Sequence, residues 1–327
     1  MLMRKLAFFV FTIVFVFVRL PLANAALDLL KFERLVVFGD SLSDTGNALS
    51  LDPSFFTTRP YYVNGRFSNG PNWVDYFASS VTHFAPVTAF FMTKQPSEHG
   101  MNFAVGGSTS GDVNVLPAPE PIGSFPAQID AYVTSLGGES AANDLCVIWI
   151  GANDFGAGLA AGSINPRTTV ENIRAGIAQL SNAGARTIIV INIPDIALTP
   201  QIKATPTIIQ AARQFVFTVN ALLEVELLPF AWIHRISVEI VDINRIFIPL
   251  VLNPGRFGFT NSSGFALDPR TGGGDTNAND YVFWDGFHPT TKAHQIAAEF
   301  IYKEIVSRRV FADILPLARR AIEAVSP

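Results

Sequence analysis

Three residues of this 327-residue chain, Ser41, His288 and Asp285, are of the types that form a serine–histidine–carboxylate triad, called the relay in this protein. Ser41 follows a short apolar run within a polar turn, and Asp285 stands three residues before His288. A serine hydroxyl is a weak nucleophile until an imidazole accepts its proton, and a carboxylate behind the imidazole fixes the tautomer. The spacing therefore favours acyl transfer, with Ser41 as nucleophile, His288 as base and Asp285 as orienting carboxylate. Taken singly, an ordinary capping turn or a structural histidine explains each segment as well.

Acyl transfer also needs donors for a developing oxyanion, and two further segments contain suitable groups. Gly106 and Gly107 form a pair that can bring a backbone N–H close to a ligand without a side chain in the way. Asn153 stands just beyond an apolar run, where its amide can donate to an oxyanion. A loop glycine pair and a helix-capping asparagine are the competing explanations for these segments.

The elements that must position these groups are short apolar runs with helical patterns between them. Runs typical of strands buried on both faces of a parallel sheet lie at 35–38, 145–150, 187–193 and 238–243. Helices are predicted at Trp73–Ser80, Pro166–Asn182, 205–228 and 290–310. The alternation predicts an α/β fold, a doubly wound sandwich with a central parallel sheet. Because ligands bind at the carboxyl ends of parallel strands, residues that follow the runs are expected to converge.

Composition excludes several classes of protein and site. The chain is 49% hydrophobic and 15% charged, which supplies a substantial core, and its net charge of −4 offers no basic field for nucleic acid. We therefore predict no nucleic-acid partner. Cys146 is the single cysteine, in an apolar run where a buried residue is expected. With one cysteine and no His-Glu-x-x-His pattern, the sequence predicts no metal site, and acyl transfer on serine needs no organic cofactor.

The N-terminus has the three-part layout of a secretory signal peptide. Arg4 and Lys5 precede an apolar run, and small residues surround Ala25. We predict cleavage after Ala25, which assigns 1–25 to a signal peptide and 26–327 to one catalytic domain, secreted or periplasmic. An uncleaved anchor is the alternative, but the apolar run at 6–18 is short for a hydrocarbon core of ~30 Å. No other apolar stretch of membrane length is expected.

Together, four segments of the chain resemble the signature blocks of the GDSL, or SGNH, family of serine hydrolases. The blocks stand in family order at 39–47, 102–107, 151–155 and 283–290, and the resemblance spans about 34–293. It implies a flavodoxin-like three-layer α/β/α sandwich with Ser41 as nucleophile, His288 as base and Asp285 behind the base. It also implies an oxyanion hole formed by the backbone N–H groups of Ser41 and Gly107 and the side chain of Asn153. Gly106 is the alternative to Gly107.

The resemblance implies cleavage of carboxylic esters, as an esterase, lipase or phospholipase, through an acyl-enzyme on Ser41. An acyltransferase that uses the same acyl-enzyme is one alternative, and a non-catalytic exported module that binds lipid or glycan is another. The implied partner is a small-molecule or lipid ester, while peripheral membrane contact and oligomeric state stay open. Asp44 and Asn47 are expected to brace the nucleophile turn, and Arg66 to pair with a local carboxylate.

Two other enzyme classes fit the sequence less well. No serine has the Gly-x-Ser-x-Gly surroundings of an α/β-hydrolase elbow. Gly156, Gly158 and Ala161 have the spacing of a dinucleotide-binding string, but the string begins six residues after its predicted strand and lacks the acidic residue expected downstream. We predict a flexible loop there. The phenylalanine pairs at 55–56, 90–91 and 257/259 are candidates to line an acyl groove, although most phenylalanines are expected in the core.

Overall fold

The computed structural model describes residue 29 and residues 31–80, 84–116, 123–268, 273–274 and 277–307. The predicted signal peptide, residues 1–25, lies outside these residues. The centre of the fold is a six-stranded sheet formed by β1 (Arg34–Gly39), β2 (Val87–Ala89), β3 (Gly100–Asn102), β4 (Asp144–Trp149), β5 (Thr187–Ile191) and β6 (Ser237–Val241). The spatial order is β2-β3-β1-β4-β5-β6, and every neighbouring pair is parallel.

Helices precede, connect and follow these strands. They are α1 (Asn47–Leu51), α2 (Pro53–Thr57), α3 (Trp73–Ser80), α4 (Phe90–Thr93), α5 (Phe125–Ser135), α6 (Ala152–Ala160), α7 (Pro166–Asn182), α8 (Pro200–Lys203), α9 (Pro206–His234), α10 (Asn244–Leu252) and α11 (291–307). Short 3-10 turns lie at Val63–Gly65, Ile196–Leu198, Pro254–Phe257 and Ala278–Asp280. Two small strand pairs lie beside the main sheet, formed by β7 (Asn261–Phe265) with β10 (Tyr281–Phe283) and by β8 (Leu267–Asp268) with β9 (Gly273–Gly274).

The central sheet is buried on both faces, because successive residues of a strand point to opposite sides. In β1, Val36 and Phe38 belong to one apolar core, whereas Leu35 and Val37 belong to the other. Side chains from α5, α7 and α9 fill the first core, and side chains from α3 and α11 fill the second. The chain is therefore the three-layer α/β/α sandwich that the sequence predicted.

All four predicted strands and all four predicted helices are present, with shifts of a few residues at their ends. The sequence missed β2 and β3, because strands of three residues are too short to show a periodic pattern. It also ended the long helix at 228, whereas α9 continues through Pro229 to His234. The described part of α11 ends at 307.

The expectation that no other stretch reaches membrane length was wrong for α9. In the described part of the chain, this helix alone is long and apolar enough to cross a membrane by length and composition, with a mean hydropathy of 1.5. One face of the helix packs into the core through residues such as Phe215, Val219 and Leu223. Its outer face carries several apolar side chains among polar ones, and Trp232 is 84% exposed. The side chains that face the core account for part of the high hydropathy of α9. One helix of this length and hydropathy is by itself weak evidence for a membrane span.

Candidate active site

The carboxyl end of β1 leads directly into the turn that carries Ser41. The backbone carbonyl of Asp40 accepts hydrogen bonds from the N–H groups of Ser43 and Asp44, both at 3.0 Å, and its carboxylate accepts one from Leu42 N–H at 3.0 Å. These bonds close a tight turn around Ser41. The N–H of Ser41 has no acceptor in the described part of the protein.

Asp44 is buried and holds the turn together from inside. One carboxylate oxygen accepts from the N–H groups of Gly46 and Asn47, each at 2.7 Å. The other accepts from Ala48 N–H at 3.0 Å and from Gly106 N–H at 2.8 Å. Since buried backbone donors are costly to leave unpaired, this carboxylate stabilises both the turn that carries Ser41 and the loop of Gly106 and Gly107.

Asn47 and Asn102 join the same two segments through their side chains. The amide of Asn47 donates to the carbonyl oxygens of Asn102 and Ala104, at 2.8 and 2.9 Å. The amide of Asn102 donates in turn to the carbonyl oxygen of Ser43 at 2.6 Å. The predicted bracing roles of Asp44 and Asn47 are therefore present in the structure.

Gly106 and Gly107 differ in whether their backbone N–H groups have an acceptor. Gly106 N–H is already bound by Asp44, and a side chain at this position would collide with the ring of Phe67. Gly107 has φ of +78°, a conformation that favours glycine, and it lines the cavity beside Ser41. Among the described residues, Gly107 N–H has no acceptor. Gly107 is thus the better placed of the two to offer a donor to a ligand.

Asn153 lies in the first turn of α6, just beyond the end of β4. The helix begins after Gly151, which caps it without a side-chain bond, so the alternative in which Asn153 caps the helix is not observed. Its amide donates to the carbonyl oxygen of Ser108 at 2.9 Å. This bond ties Asn153 to the loop of Gly107, and an amide nitrogen has a second hydrogen for a ligand. Ser41, Gly107 and Asn153 all line one cavity.

His288 contacts both Asp285, three residues before it, and Ser41, which is 247 residues away in the sequence. Its Nε2 lies 2.8 Å from Ser41 Oγ, and its Nδ1 lies 2.7 and 3.0 Å from the two carboxylate oxygens of Asp285. Asp285 also accepts the backbone N–H groups of Phe287 at 2.8 Å and His288 at 2.7 Å. The three-residue spacing therefore forms a tight turn in which the carboxylate holds the imidazole.

One contact to this relay comes from a residue that the sequence did not indicate. The hydroxyl of Tyr62 donates to Asp285 Oδ2 at 2.6 Å. Tyr62 is separated from Asp285 by 223 residues, and no local pattern in the sequence marks it. In the segment that follows, Arg66 pairs with a local carboxylate, as predicted. It forms a bidentate ion pair with Asp75, with both nitrogen–oxygen distances 2.7 Å.

The pKa values of Asp285 and His288 are shifted in opposite directions. Burial favours the neutral form of Asp285, but His288 and the hydroxyl of Tyr62 outweigh it and hold the pKa of Asp285 below its ordinary value. Burial opposes the imidazolium, yet Asp285, with help from Asp40, raises the pKa of His288 above its usual range. Burial raises the pKa of Asp40 to about 7. His288 is thus a stronger base than a free imidazole.

The relay opens into a cavity of about 1120 Å³ whose walls are mostly apolar. Phe55 lines it, as the sequence suggested, together with Phe67, Phe155, Phe247, Phe265 and Phe287. The other candidate phenylalanines do not line this cavity, and Phe91 and Phe259 are buried in the core. Drug-sized ligands usually occupy cavities of roughly 300–1,000 Å³, so this one has room for a large apolar group.

The segment of Gly156 and Gly158 is also part of the cavity wall. The sequence predicted a flexible loop there, which is wrong, because both glycines lie within α6. Asp154, in the first turn of this helix, accepts Ser110 N–H at 2.8 Å, which ties the helix to the loop at 108–110. In the described ranges, no group of three or more histidine, cysteine or acidic residues is arranged to hold a metal ion.

A sequence profile of the GDSL-like Lipase/Acylhydrolase family matches residues 35–301, which includes the central sheet except for Arg34 at the start of β1, and the whole relay. The chain belongs to this family. The four sequence blocks that resembled it lie around a single cavity at the carboxyl ends of β1, β3 and β4 and before α11. Membership of the GDSL family supports assignment as a hydrolase.

Several curated proteins are similar to this chain at low identity. The thermolabile hemolysin of Vibrio parahaemolyticus is 27% identical over 84% of this chain and 64% of its own length. The phosphatidylcholine-sterol acyltransferase of Aeromonas hydrophila is 25% identical over 82% of this chain and 88% of its own length. The secreted effector protein SseJ of Salmonella typhimurium is 29% identical over 81% of this chain and 62% of its own length. The alignment thus spans just under two thirds of two of these relatives.

Proposed function

We propose that this chain is an exported serine hydrolase that cleaves carboxylic esters through an acyl-enzyme on Ser41. The observation that carries the proposal is the position of His288, with Nε2 2.8 Å from Ser41 Oγ and Nδ1 2.7 Å from Asp285 Oδ2. A binding module has no need of a base directed at a hydroxyl, so this arrangement favours catalysis over simple lipid or glycan binding.

In the acylation half of the proposed cycle, Ser41 Oγ bonds to the ester carbonyl carbon while its proton moves to His288 Nε2. Asp285 stabilises the imidazolium that results, and its own proton affinity stays low. The tetrahedral intermediate then collapses. Its bond to the alcohol oxygen breaks, and His288 returns the proton to that oxygen, which leaves an acyl ester on Ser41.

In the second half, His288 removes a proton from water as the water oxygen attacks the acyl carbon. The Ser41 oxygen leaves and takes the proton back from His288, which releases a carboxylic acid and restores the enzyme. Both tetrahedral intermediates carry an oxyanion. The N–H groups of Ser41 and Gly107 and the amide of Asn153 are the proposed donors, since all three residues line the cavity beside the hydroxyl.

An acyltransferase is the second candidate, in which an alcohol replaces water in the second half. Two observations favour it. The alignment covers 88% of a relative that is a phosphatidylcholine-sterol acyltransferase, and the cavity of about 1120 Å³ is large enough for an acyl chain together with part of a second apolar group. Export is supported by the N-terminal layout around residues 1–25 and by a relative that is a secreted effector protein.

The test of the hydrolase proposal is release of p-nitrophenol from p-nitrophenyl butyrate, combined with labelling by a fluorophosphonate probe. We expect activity and labelling in the parent protein and neither in Ser41→Ala, since the relay acts as a unit. Ser79→Ala is the matched control, because Ser79 is an exposed serine on α3. Hydrolysis by Ser41→Ala at the parent rate contradicts the proposal, as does a folded parent protein that neither hydrolyses nor labels.

The second candidate is tested by adding an acceptor alcohol, such as a sterol, to the enzyme with a phospholipid or p-nitrophenyl ester. Transfer appears as an acylated alcohol that depends on Ser41. Release of free acid alone, at every acceptor concentration, leaves the enzyme a hydrolase.

A further inference from the structure

Tyr62 is joined to the relay at its carboxylate end. Its hydroxyl donates to Asp285 Oδ2 at 2.6 Å, and the same oxygen lies 2.7 Å from His288 Nδ1. Two side chains therefore share one carboxylate oxygen, and any change in the Tyr62 bond alters the charge that His288 meets.

The ring of Tyr62 is fixed by aromatic packing on several sides. It stacks on Phe55, with ring centroids 6.5 Å apart and planes 8° from parallel, and it lies 5.1 Å from Phe67. Tyr61 makes an edge contact with it at 4.9 Å. These neighbours leave little freedom to the phenol, so its hydroxyl is held in place for Asp285 before substrate binds.

We infer that Tyr62 is a positioning residue of the relay, whose hydroxyl fixes Asp285 and restrains the proton affinity of His288 by sharing the carboxylate's charge. This inference rests on the proposed function, because it gives Tyr62 a part in serine acyl transfer. Tyr62 touches neither of the reacting atoms in this role. It acts on Ser41 through Asp285 and His288.

The phenol stays protonated, and so remains a donor, throughout the range in which such an enzyme works. Burial and then the neighbouring Asp285 raise the pKa of Tyr62 well above its ordinary value. A neutral donor withdraws part of the carboxylate's charge without introducing a charge of its own. When the hydroxyl is removed, Asp285 keeps the N–H bonds of Phe287 and His288, but more of its negative charge faces the imidazole and favours the imidazolium.

Besides Tyr62, other titratable groups interact with His288. Asp285 lies on the same turn, and Asp40, at the end of β1, also raises the pKa of His288. His294, on α11, is buried and interacts with His288, and its own pKa is lowered to about 3, so it is neutral under assay conditions. Substitution of Tyr62 leaves these groups in place.

The test is the pH profile of kcat/KM for a short ester in Tyr62→Phe, with Tyr61→Phe as matched control. Both tyrosines line the cavity, but in the described ranges only Tyr62 bonds to Asp285. We expect the acid limb of Tyr62→Phe to move upward by about 0.5–1 pH unit, with KM nearly unchanged. The acid limb of Tyr61→Phe should stay at the parent position. An unmoved limb in Tyr62→Phe, or an equal shift in both variants, overturns the inference.

A second readout does not depend on activity. The imidazole carbon of His288 is followed by NMR in ¹³C-histidine-labelled protein, with its resonance assigned by its loss in His288→Gln. The inference requires the His288 pKa to rise in Tyr62→Phe and not in Tyr61→Phe. If the parent protein fails to hydrolyse esters, the proposed function fails on its own. If the parent hydrolyses esters and the His288 pKa does not respond to Tyr62→Phe, only the role of Tyr62 fails.

Discussion

The carboxylate of Asp44 accepts a hydrogen bond from the N–H of Gly106 at 2.8 Å and thereby ties the turn that carries Ser41 to the loop that carries Gly107. The bond crosses 62 residues of sequence and places two of the proposed oxyanion donors, the N–H groups of Ser41 and Gly107, on one rigid support. It also uses up the N–H of Gly106. Of the two glycines, Gly107 is the one that lines the cavity, and its N–H has no acceptor among the described residues.

We expect Asp44→Ala to destabilise the fold. The substitution leaves four buried N–H groups without their acceptor, and the cost should be about 3 kcal/mol of unfolding free energy or more. Urea denaturation measures it. Asp52→Ala is the control, since Asp52 accepts N–H groups at an exposed helix start and its loss should cost less. Equal stability of Asp44→Ala and the parent protein contradicts the role given to this carboxylate.

Asn153→Ala should lower kcat sharply while leaving the fold intact. Loss of one oxyanion donor typically costs about 10²–10³-fold in rate, or ~3–4 kcal/mol of transition-state stabilisation. The matched control is Asn172→Ala, because Asn172 also supports the 108–110 loop, through Ser110 Oγ at 3.1 Å, without lining the cavity. Steady-state kinetics on p-nitrophenyl butyrate decide the matter. A loss of similar size in both variants points to loop disorder as its cause.

Activity should fall as pH drops through the pKa of His288, because only the neutral imidazole can accept the Ser41 proton. That pKa is raised by Asp285 and by Asp40, so the midpoint of the acid limb should lie above the ordinary value of about 6.5. Asp40→Asn removes a carboxylate that carries its negative charge above its own pKa of about 7, and it should move the limb to lower pH, opposite to Tyr62→Phe. The profile of kcat/KM against pH measures both shifts. Asp112→Asn, which removes an exposed carboxylate, should leave the limb unchanged.

The stability of Asp40→Asn relative to the parent should also depend on pH. The pKa of Asp40 is about 7 in the folded protein against about 3.9 in an unfolded chain, so the folded state binds its proton more tightly. This contribution stabilises the parent below about pH 4 and is lost as pH rises to about 7. The difference in unfolding free energy should therefore move in favour of Asp40→Asn over that range. Parallel urea series at pH 5 and pH 8 test it, and a constant difference contradicts it.

Narrowing the cavity should change substrate preference more than chemistry. Ala157 lies one helical turn beyond Asn153 on α6 and lines the cavity, so Ala157→Trp should obstruct a long acyl chain beside the oxyanion donors. We expect kcat/KM for a p-nitrophenyl ester of long chain to fall about 10-fold or more relative to the acetate. Ala221→Trp, on an exposed part of α9, is the control. An unchanged ratio of long-chain to acetate activity places the acyl chain elsewhere.

Sequence alone determined the features that depend on local order along the chain. Apolar runs followed by Ser41 and Asn153 indicated strands whose carboxyl ends carry polar groups, and the spacing from Asp285 to His288 indicated one turn. These patterns can be recognised in a short segment of sequence, because a buried strand and a tight turn each need particular residue types over a few positions. The parallel sheet then follows from the alternation with helices.

Only the tertiary structure decided the features that depend on contacts between distant segments. Tyr62 reaches Asp285 from 223 residues away, and the proposal of Gly107 over Gly106 rests on the hydrogen bond that Gly106 N–H donates to Asp44. Neither contact leaves a periodic or local pattern, because a hydrogen bond across the fold constrains two positions and nothing between them. The sequence did not predict the short strands β2 and β3 for the same reason. Their conformation depends on pairing across the sheet, of β3 with β1 and of β2 with β3.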